Sequence, residues 1–239
     1  MVLENLIETH SHILPAIDDG AKDVATSQKM IAKLSSQGAE AVIATPHYYS
    51  DSVSLSDFLA KRQKAYQALI RSLPPEAPRI IPAAEVYISE YLFHNDDLSQ
   101  ICIAGTRFAM IEHNFHSDFG QKAYNRLETL IYDYRITPIL VHIERYKALM
   151  DNPKLLDQYR ELGCKTQVNI SSFANAPRAI KKKLFKYIES DRIDFIGSDC
   201  HNMDSRPPQY AEGAEEIIKK CGRSALLKLI QNAQELINY

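Results

Sequence analysis

His10-Ser11-His12 places two imidazoles two residues apart, just after the apolar pair Leu6-Ile7. In an extended strand residues i and i+2 face the same side, so both rings can reach one cation. Asp199-Cys200-His201 repeats that spacing after Phe195-Ile196-Gly197-Ser198. Four more apolar runs end on an ionisable residue. Ala41 to Ala44 leads through Thr45-Pro46 to His47, and Ile80 to Ala84 leads to Glu85. Ala109 to Ile111 leads to Glu112, and Ile139 to Val141 leads to His142. One such ending carries little information, because a strand-end His is ordinarily a hydrogen-bonded surface or core residue. Six in order, all of metal-ligand type, point to a multinuclear site. A carboxylate such as Glu85 or Glu112 can bridge two divalent cations about 3.5–4 Å apart, as in two-metal hydrolytic sites. Mixed His and carboxylate donors suit Mn, Fe, Zn or Co rather than a Cys-rich structural zinc site.

Two arginines indicate the substrate. Arg145 follows His142 by three residues, and Arg206 follows His201 by five, just before Pro207-Pro208. A lone Arg is most often a solvated salt-bridge partner. Two of them just after ligand candidates suit a tetrahedral oxyanion, since planar guanidinium donors hold phosphate bidentately. An amidohydrolase would share the His-x-His opening but have less use for both arginines. Asp18-Asp19-Gly20 has the form of an ordinary Asp-Gly turn; Asp18, His201 and a metal-bound water are the candidate proton donors, and the sequence does not choose among them. His94, His113 and His116 lack a strand-end context and read as loop residues, although His113 adjoins Glu112 and could reach the rim of the site.

The elements that must carry these residues alternate along the chain. Short apolar runs are separated by amphipathic stretches, predicting helices over about 24–37, from Ser54 to Pro74, and near 120–134, 152–162, 178–189, 209–220 and 223–237. Ser54 with Asp57 three residues on gives a weak capping-box signal. About seven strand–helix alternations predict an α/β fold with a mostly parallel sheet, whose strand ends converge on one mouth if it closes into a barrel. The 239 residues show no linker and no repeat, so one domain over 1–239 is expected. A net charge of −2 argues against a bulk nucleic-acid or membrane-surface binder. No apolar run reaches a membrane span, and the first residues lack the basic region of a signal peptide. The four cysteines form no C-x-x-C pair, which fits a reducing cytoplasm. The charge is unevenly spread. Residues 1–120 carry 9 Lys and Arg against 15 Asp and Glu, with six of the eight His, whereas residues 121–239 carry 19 against 15.

Taken together, His10-Ser11-His12, Asp18-Asp19-Gly20, Thr45-Pro46-His47, Glu85, Glu112, His142-Ile143-Glu144-Arg145-Tyr146, Asp199-Cys200-His201-Asn202 and Arg206-Pro207-Pro208 resemble the polymerase-and-histidinol-phosphatase (PHP) domain. Within it they resemble the bacterial manganese-dependent protein tyrosine phosphatases that act on tyrosine kinases of capsule and exopolysaccharide synthesis. The resemblance covers almost the whole chain. It implies a distorted (βα)7 TIM-like barrel of the PHP type and a trinuclear centre, with Mn2+ as the expected ion in two or three copies and Fe, Co, Zn or Mg as substitutes. It implies one ion on His10, His12 and Asp199 with Glu85 bridging, a second on Glu85, Glu112 and His142, and a third on Asp19, His47 and His201. Arg145 and Arg206 match its phosphate-binding arginines. The sequence departs from the pattern at Glu8, where Asp is usual, and at Ile143, where Pro is usual.

The mechanism this implies is attack of a metal-bridging hydroxide on phosphorus, while Arg145, Arg206 and the third metal hold the phosphoryl oxygens. The implied partner is a phosphotyrosine protein, a cognate bacterial tyrosine kinase, with neither nucleic acid nor membrane insertion involved. The alternative on the same centre is histidinol phosphate or another small phosphomonoester, which would favour a deeper, enclosing pocket. A remote alternative is thiol chemistry, since Cys200 to Arg206 matches C-x5-R. That loop has no Gly, and Cys200 lies between two ligand candidates. A module that binds without catalysis would lack ligands, and none is missing. The Lys181-Lys182-Lys183 run reads as a solvated helix face.

Overall fold

The computed structural model describes residues 2–237. In chain order the regular elements are β1 (Leu6–Ser11), α1 (Val24–Ser36), β2 (Ala39–Ala44), β3 (His47–Tyr49), α2 (Leu55–Ile70), β4 (Arg79–Pro82), β5 (Glu85–Tyr87), β6 (Phe108–Glu112) and α3 (Gln121–Tyr132). Then follow β7 (Thr137–Leu140), α4 (Lys147–Asp151), α5 (Pro153–Leu162), β8 (Lys165–Asn169), α6 (Ser172–Asn175), α7 (Arg178–Glu189), β9 (Phe195–Gly197), α8 (Ala211–Cys221) and α9 (Arg223–Asn232). All the strand pairings are parallel, in the orders β1-β2-β4 and β3-β5-β6-β7-β8-β9.

The two sheets are one barrel. Pro46 and Pro82 interrupt two of its staves, because a proline cannot donate to the ladder. The pairing carries across each break: Ala83 N donates to Ala44 O at 2.9 Å and Glu85 N to Pro46 O at 3.0 Å. β2 with β3, and β4 with β5, therefore each form a single stave, giving seven in all. The ring closes where Asp199 N donates to His10 O (2.8 Å) and His12 N to Cys200 O (2.9 Å). Glu8 fastens the same seam: its Oε1 accepts from His10 N and Ser198 N, both at 2.9 Å. The third stave is followed by 3-10 turns at Glu90–His94 and Ser99–Ile101 instead of an α-helix, one source of the distortion.

Inside, the barrel is layered. Ile7, Ile43, Ile81, Phe108, Met110, Ile139, Val141 and Phe195 fill its lower half, plugged by Ala233 and Leu236 of the C-terminal 3-10 turn. Inward positions nearer the strand ends are polar. Strand alternation carries Ile81 to Glu85 and Met110 to Glu112 without a change of face. Ile7 and His10 are an odd number of residues apart, and a register shift between Glu8 and Ser11 changes the phase so that His10 and His12 also face the mouth.

The predicted helices form, with ends shifted by a few residues. Ser54 caps α2, accepting from Asp57 N, but α2 ends at Ile70 rather than at Pro74. α1 stops at Gly38, whose φ of 98° carries the chain out of the helix. α8 lies so close to the turn after β8 that a Cβ on Gly213 would stand 2.1 Å from Ile170 O. Gly213→Ala therefore forces two backbones apart and is expected to cost about 2–3 kcal/mol of stability. Urea unfolding measures this, and an unchanged midpoint would contradict the close approach.

Candidate metal centre

Nine candidate ligands, His10, His12, Asp19, His47, Glu85, Glu112, His142, Asp199 and His201, gather at the C-terminal mouth of the barrel, where α/β barrels build their sites. Local backbone aims several of them. His142 (φ 36°) and Asp199 (φ 54°) both adopt left-handed geometry just past their strands, which turns their side chains inward. The Asp18-Asp19-Gly20 turn folds back on β1, with Ala21 N donating to His12 O at 2.9 Å. A Cβ on Gly20 would lie 2.3 Å from that same oxygen, so only glycine lets the loop return there.

Glu85 is the hub. Its Oε2 lies 3.1 Å from His10 Nε2, 3.1 Å from His12 Nε2 and 3.2 Å from His47 Nδ1, and its Oε1 lies 2.8 Å from His142 Nε2. Asp19 Oδ1 stands 3.5 Å from His47 Nε2 and 3.4 Å from His201 Nε2. Ligand atoms converge in three overlapping groups: His10, His12, Glu85 and Asp199; His12, Asp19, His47 and His201; and His47, Glu85 and Glu112. The first matches an ion set implied by the PHP resemblance, and the second adds His12 to another. The third differs: His47 stands where the resemblance puts His142. His142 Nε2 is 3.6 Å from Glu112 Oε1 and aims at the other Glu85 oxygen.

Whether these donors fit metal ions can be tested on the atoms themselves. His10 Nε2, His12 Nε2, His47 Nδ1, His201 Nε2 and Glu85 Oε2 are all buried and make no hydrogen bond. Buried polar atoms without partners are costly, and five converging on shared points fit divalent cations.

The charges respond to this crowding. Burial alone would depress the His10 and His12 imidazoles, but Glu85, Asp199 and, for His12, Asp18 raise them above the usual histidine range. Burial and then the Glu85 charge push Glu112 up to about 8. Burial holds His47 and His142 down, and burial together with His12 brings His201 to about 4. The Glu85 and Asp199 carboxyls are held well below the usual range by His10 and His12 despite their burial.

Asp199 has two faces. Its Oδ1 looks toward His10 and His12 at 3.6 and 3.5 Å; its Oδ2 accepts from Arg145 at 2.8 Å and Asn169 Nδ2 at 2.8 Å and forms an ion pair with Arg206 at 2.6 Å. Both guanidinium groups thus meet at the edge of the centre. Arg206 is carried by a turn in which Asn202 Oδ1 accepts from the backbone N–H groups of Asp204, Ser205 and Arg206. Ile143, buried in the 3-10 turn Ile143–Arg145, anchors the loop bearing Arg145.

Sequence reasoning missed the support from β8. Gln167 Oε1 accepts from His142 N at 2.8 Å and faces His10 Nδ1 at 3.4 Å, and Gln167 Nε2 donates to Asn169 Oδ1 at 3.1 Å. Gln167-x-Asn169 is a period-2 signal of the same kind as His10-x-His12. It is hidden because side-chain amides are less diagnostic of a metal site than imidazole or carboxylate, and Val168-Asn169-Ile170 reads as an apolar run.

Several candidates have other tasks. Asp18, a candidate proton donor from the sequence, accepts from His47 N (3.0 Å) and Gly20 N (3.0 Å) and pairs with His12 Nδ1 at 2.7 Å. The His12 and backbone bonds outweigh burial and hold its carboxyl at about 2, and its Oδ2 orients the His12 ring. Cys200 is fully buried, and burial with the Glu8 charge raises its thiol well above the usual range, which overturns the C-x5-R reading. His113 does not reach the centre: it is buried against Phe119, and burial lowers it to about 3. His94 and His116 are exposed. In the lysine run, Lys181 donates to Ala174 O and Lys183 to Asp151, as expected of a helix face.

The sequence matches the family described as "Capsular polysaccharide synthesis, CpsB/CapC" over residues 6–238. The chain belongs to this family. It is 28% identical to the tyrosine-protein phosphatase CpsB of Streptococcus agalactiae, across 97% of this chain and 98% of that one. It is 30% identical to the tyrosine-protein phosphatase YwqE of Bacillus subtilis, across 97% and 91%. Among solved structures, a chain described under the metal-dependent tyrosine phosphatases YwqE from Bacillus subtilis and CpsB from Streptococcus pneumoniae superposes with a TM-score of 0.84 at 26% identity, covering 98% of this chain and 94% of that one. The β-aspartyl dipeptidase of Fervidobacterium islandicum, at 12% identity and a TM-score of 0.52 over 98% of this chain and 75% of that one, shares the fold.

Asp18→Asn keeps the shape of the loop while weakening the grip on His12. It is expected to lower affinity for Mn2+ by about 10–100-fold without changing secondary structure. Calorimetric titration of metal-stripped protein measures this, and unaltered affinity would show that Asp18 does not position the ligand.

Proposed function

We propose that this protein is a metal-dependent protein tyrosine phosphatase whose phosphate clamp is Arg145 and Arg206 and whose metal ligands are the nine residues at the mouth. One observation carries the reading: both guanidinium groups converge on the outer oxygen of Asp199, whose inner oxygen faces the unbonded Nε2 atoms of His10 and His12. Anion donors and metal donors are therefore a single carboxylate apart, the arrangement a phosphate monoester needs. The single domain over 1–239 acts with Mn2+ as its native ion, in the cytoplasm, on a phosphorylated tyrosine kinase of polysaccharide synthesis. No helix among the described residues is long and apolar enough to cross a membrane.

Ions held by these ligands supply Lewis-acid charge that activates water and offsets the developing negative charge on the phosphoryl group. The chain's own residues do the rest. Arg145 and Arg206 bind and orient the phosphoryl oxygens, exchanging Asp199 Oδ2 for the incoming dianion. Asn169 keeps its hydrogen bond to Asp199 and holds that carboxylate in place while the arginines shift. Gln167 and Asp18 fix His142 and His12. Tyrosinate is a comparatively good leaving group, because the phenol pKa is about 10, so little general-acid help is required.

Arg145→Ala and Arg206→Ala are each expected to lower kcat/KM on a phosphotyrosyl peptide by about 10²–10³ with bound metal unchanged. Cys200→Ala should retain activity and chelation should abolish it. Metal-insensitive activity lost in Cys200→Ala would overturn the reading. A preference for histidinol phosphate over the peptide would move the substrate to a small molecule.

A further inference from the structure

Beside the metal centre lies a cleft of about 380 Å³ lined by Ile17, Asp18, Asp19, His47, Tyr49, Ser52, Val53, Phe58 and Lys61. Its inner end is charged and belongs to the centre, since Asp19 and His47 are ligand candidates. Its walls are mainly apolar, with Ser52 and Lys61 the polar exceptions. Phe58 is buried and stacked on Tyr48 at 4.7 Å, Ile17 is almost fully covered, and Tyr49 and Val53 are 39% and 37% exposed at the opening. The Tyr49 ring stands 5.3 Å from that of His47. The shape is set by fixed contacts: Lys61 Nζ donates to Ile17 O at 2.7 Å and so ties α2 to the loop that carries Asp18 and Asp19.

We propose that this cleft is an aryl subsite, taking the ring of an aryl phosphate monoester between Tyr49 and Val53 while the phosphoryl group lies at the metal centre. The proposal rests on the phosphatase reading above. Cations held by Asp19 and His47 at the inner end would attract an anionic head, and mainly apolar side chains line the outer part, so a ligand with an anionic head and an apolar body fits in one orientation. The cleft lies at the lower end of the roughly 300–1,000 Å³ range of ligand pockets, enough for one ring and its flanking backbone. It opens widely to solvent along Tyr49 and Val53, as a side chain still attached to a protein requires. A short alkyl phosphate would leave both residues uncovered, so the cleft favours tyrosine over serine or threonine phosphoesters by apolar burial. On the other side of the mouth the exposed Phe115 lies 5.8 Å from the Arg145 guanidinium and offers the competing place for a ring.

The test uses the Mn2+-loaded protein with Tyr49→Ala, Val53→Asp and Phe115→Ala. Calorimetry gives affinities for phenylphosphonate and methylphosphonate, and metal content is measured alongside. Tyr49→Ala and Val53→Asp are expected to weaken phenylphosphonate about 10-fold or more, with methylphosphonate and bound metal unchanged. Equal weakening of both phosphonates would overturn the subsite, as would a selective loss of phenylphosphonate in Phe115→Ala alone. Failure of the unaltered protein to hydrolyse a phosphotyrosyl peptide would refute the phosphatase reading. Selective loss of phenylphosphonate binding would still support the cleft in that event.

Discussion

The Glu85 carboxylate is buried among four imidazoles, with one oxygen shared by His10, His12 and His47 and the other facing His142. A buried carboxylate tolerates that position only when charge surrounds it, and buried imidazole nitrogens need a partner. The surrounding rings satisfy the first demand in part. Five unbonded donor and acceptor atoms leave the second unmet within the protein alone. The cluster therefore suits positive charge brought from outside the chain. Divalent cations would neutralise the acidic residues and engage the free nitrogens together.

The strain of that arrangement is absorbed nearby. Asp199 and His142 adopt left-handed backbone, a turn of the chain that other residues tolerate less readily. Glu8 bonds two backbone N–H groups across the seam between the first and last staves, so the strand bearing His10 cannot slip relative to the one leading to Asp199. The longer Glu at this position, where Asp is usual, still reaches both amides from beneath the site. Gly197 contributes by lacking a side chain, since a Cβ there would meet His10 Cβ at 2.8 Å.

Asp199 joins the two halves of the chemistry. One carboxylate faces both the metal-ligand candidates and the two arginines. Asn169 holds its outer oxygen from a third direction. The open cleft along Tyr49 and Val53 contrasts with the deep, enclosing pocket that a small diffusible phosphoester would favour, and it leaves room for a substrate residue that remains part of a protein.

Much of this was legible in the residues alone. The alternation of apolar runs and amphipathic segments reports a parallel α/β architecture, because strand and helix periods differ and each must bury a face. The ligand types stand out because His, Asp and Glu are rare at the ends of buried strands without a reason, and the uneven distribution of charge marks the acidic ligands and the later arginines. What the order of residues could not determine was who faces whom. The register shift in β1 that turns His10 inward, the approach of both His47 and His142 to Glu112, and the support from Gln167 and Asn169 all depend on atoms brought together from distant parts of the chain. The same holds for Asp18 and Cys200. Their identities suggest an acid and a nucleophile, but Asp18 is bound to His12 and two backbone N–H groups, and the Cys200 thiol is sealed from water. Sequence determines which chemistry is possible, through residue type and period. Tertiary structure decides which group performs it, because burial and neighbouring charge set its protonation and its reach.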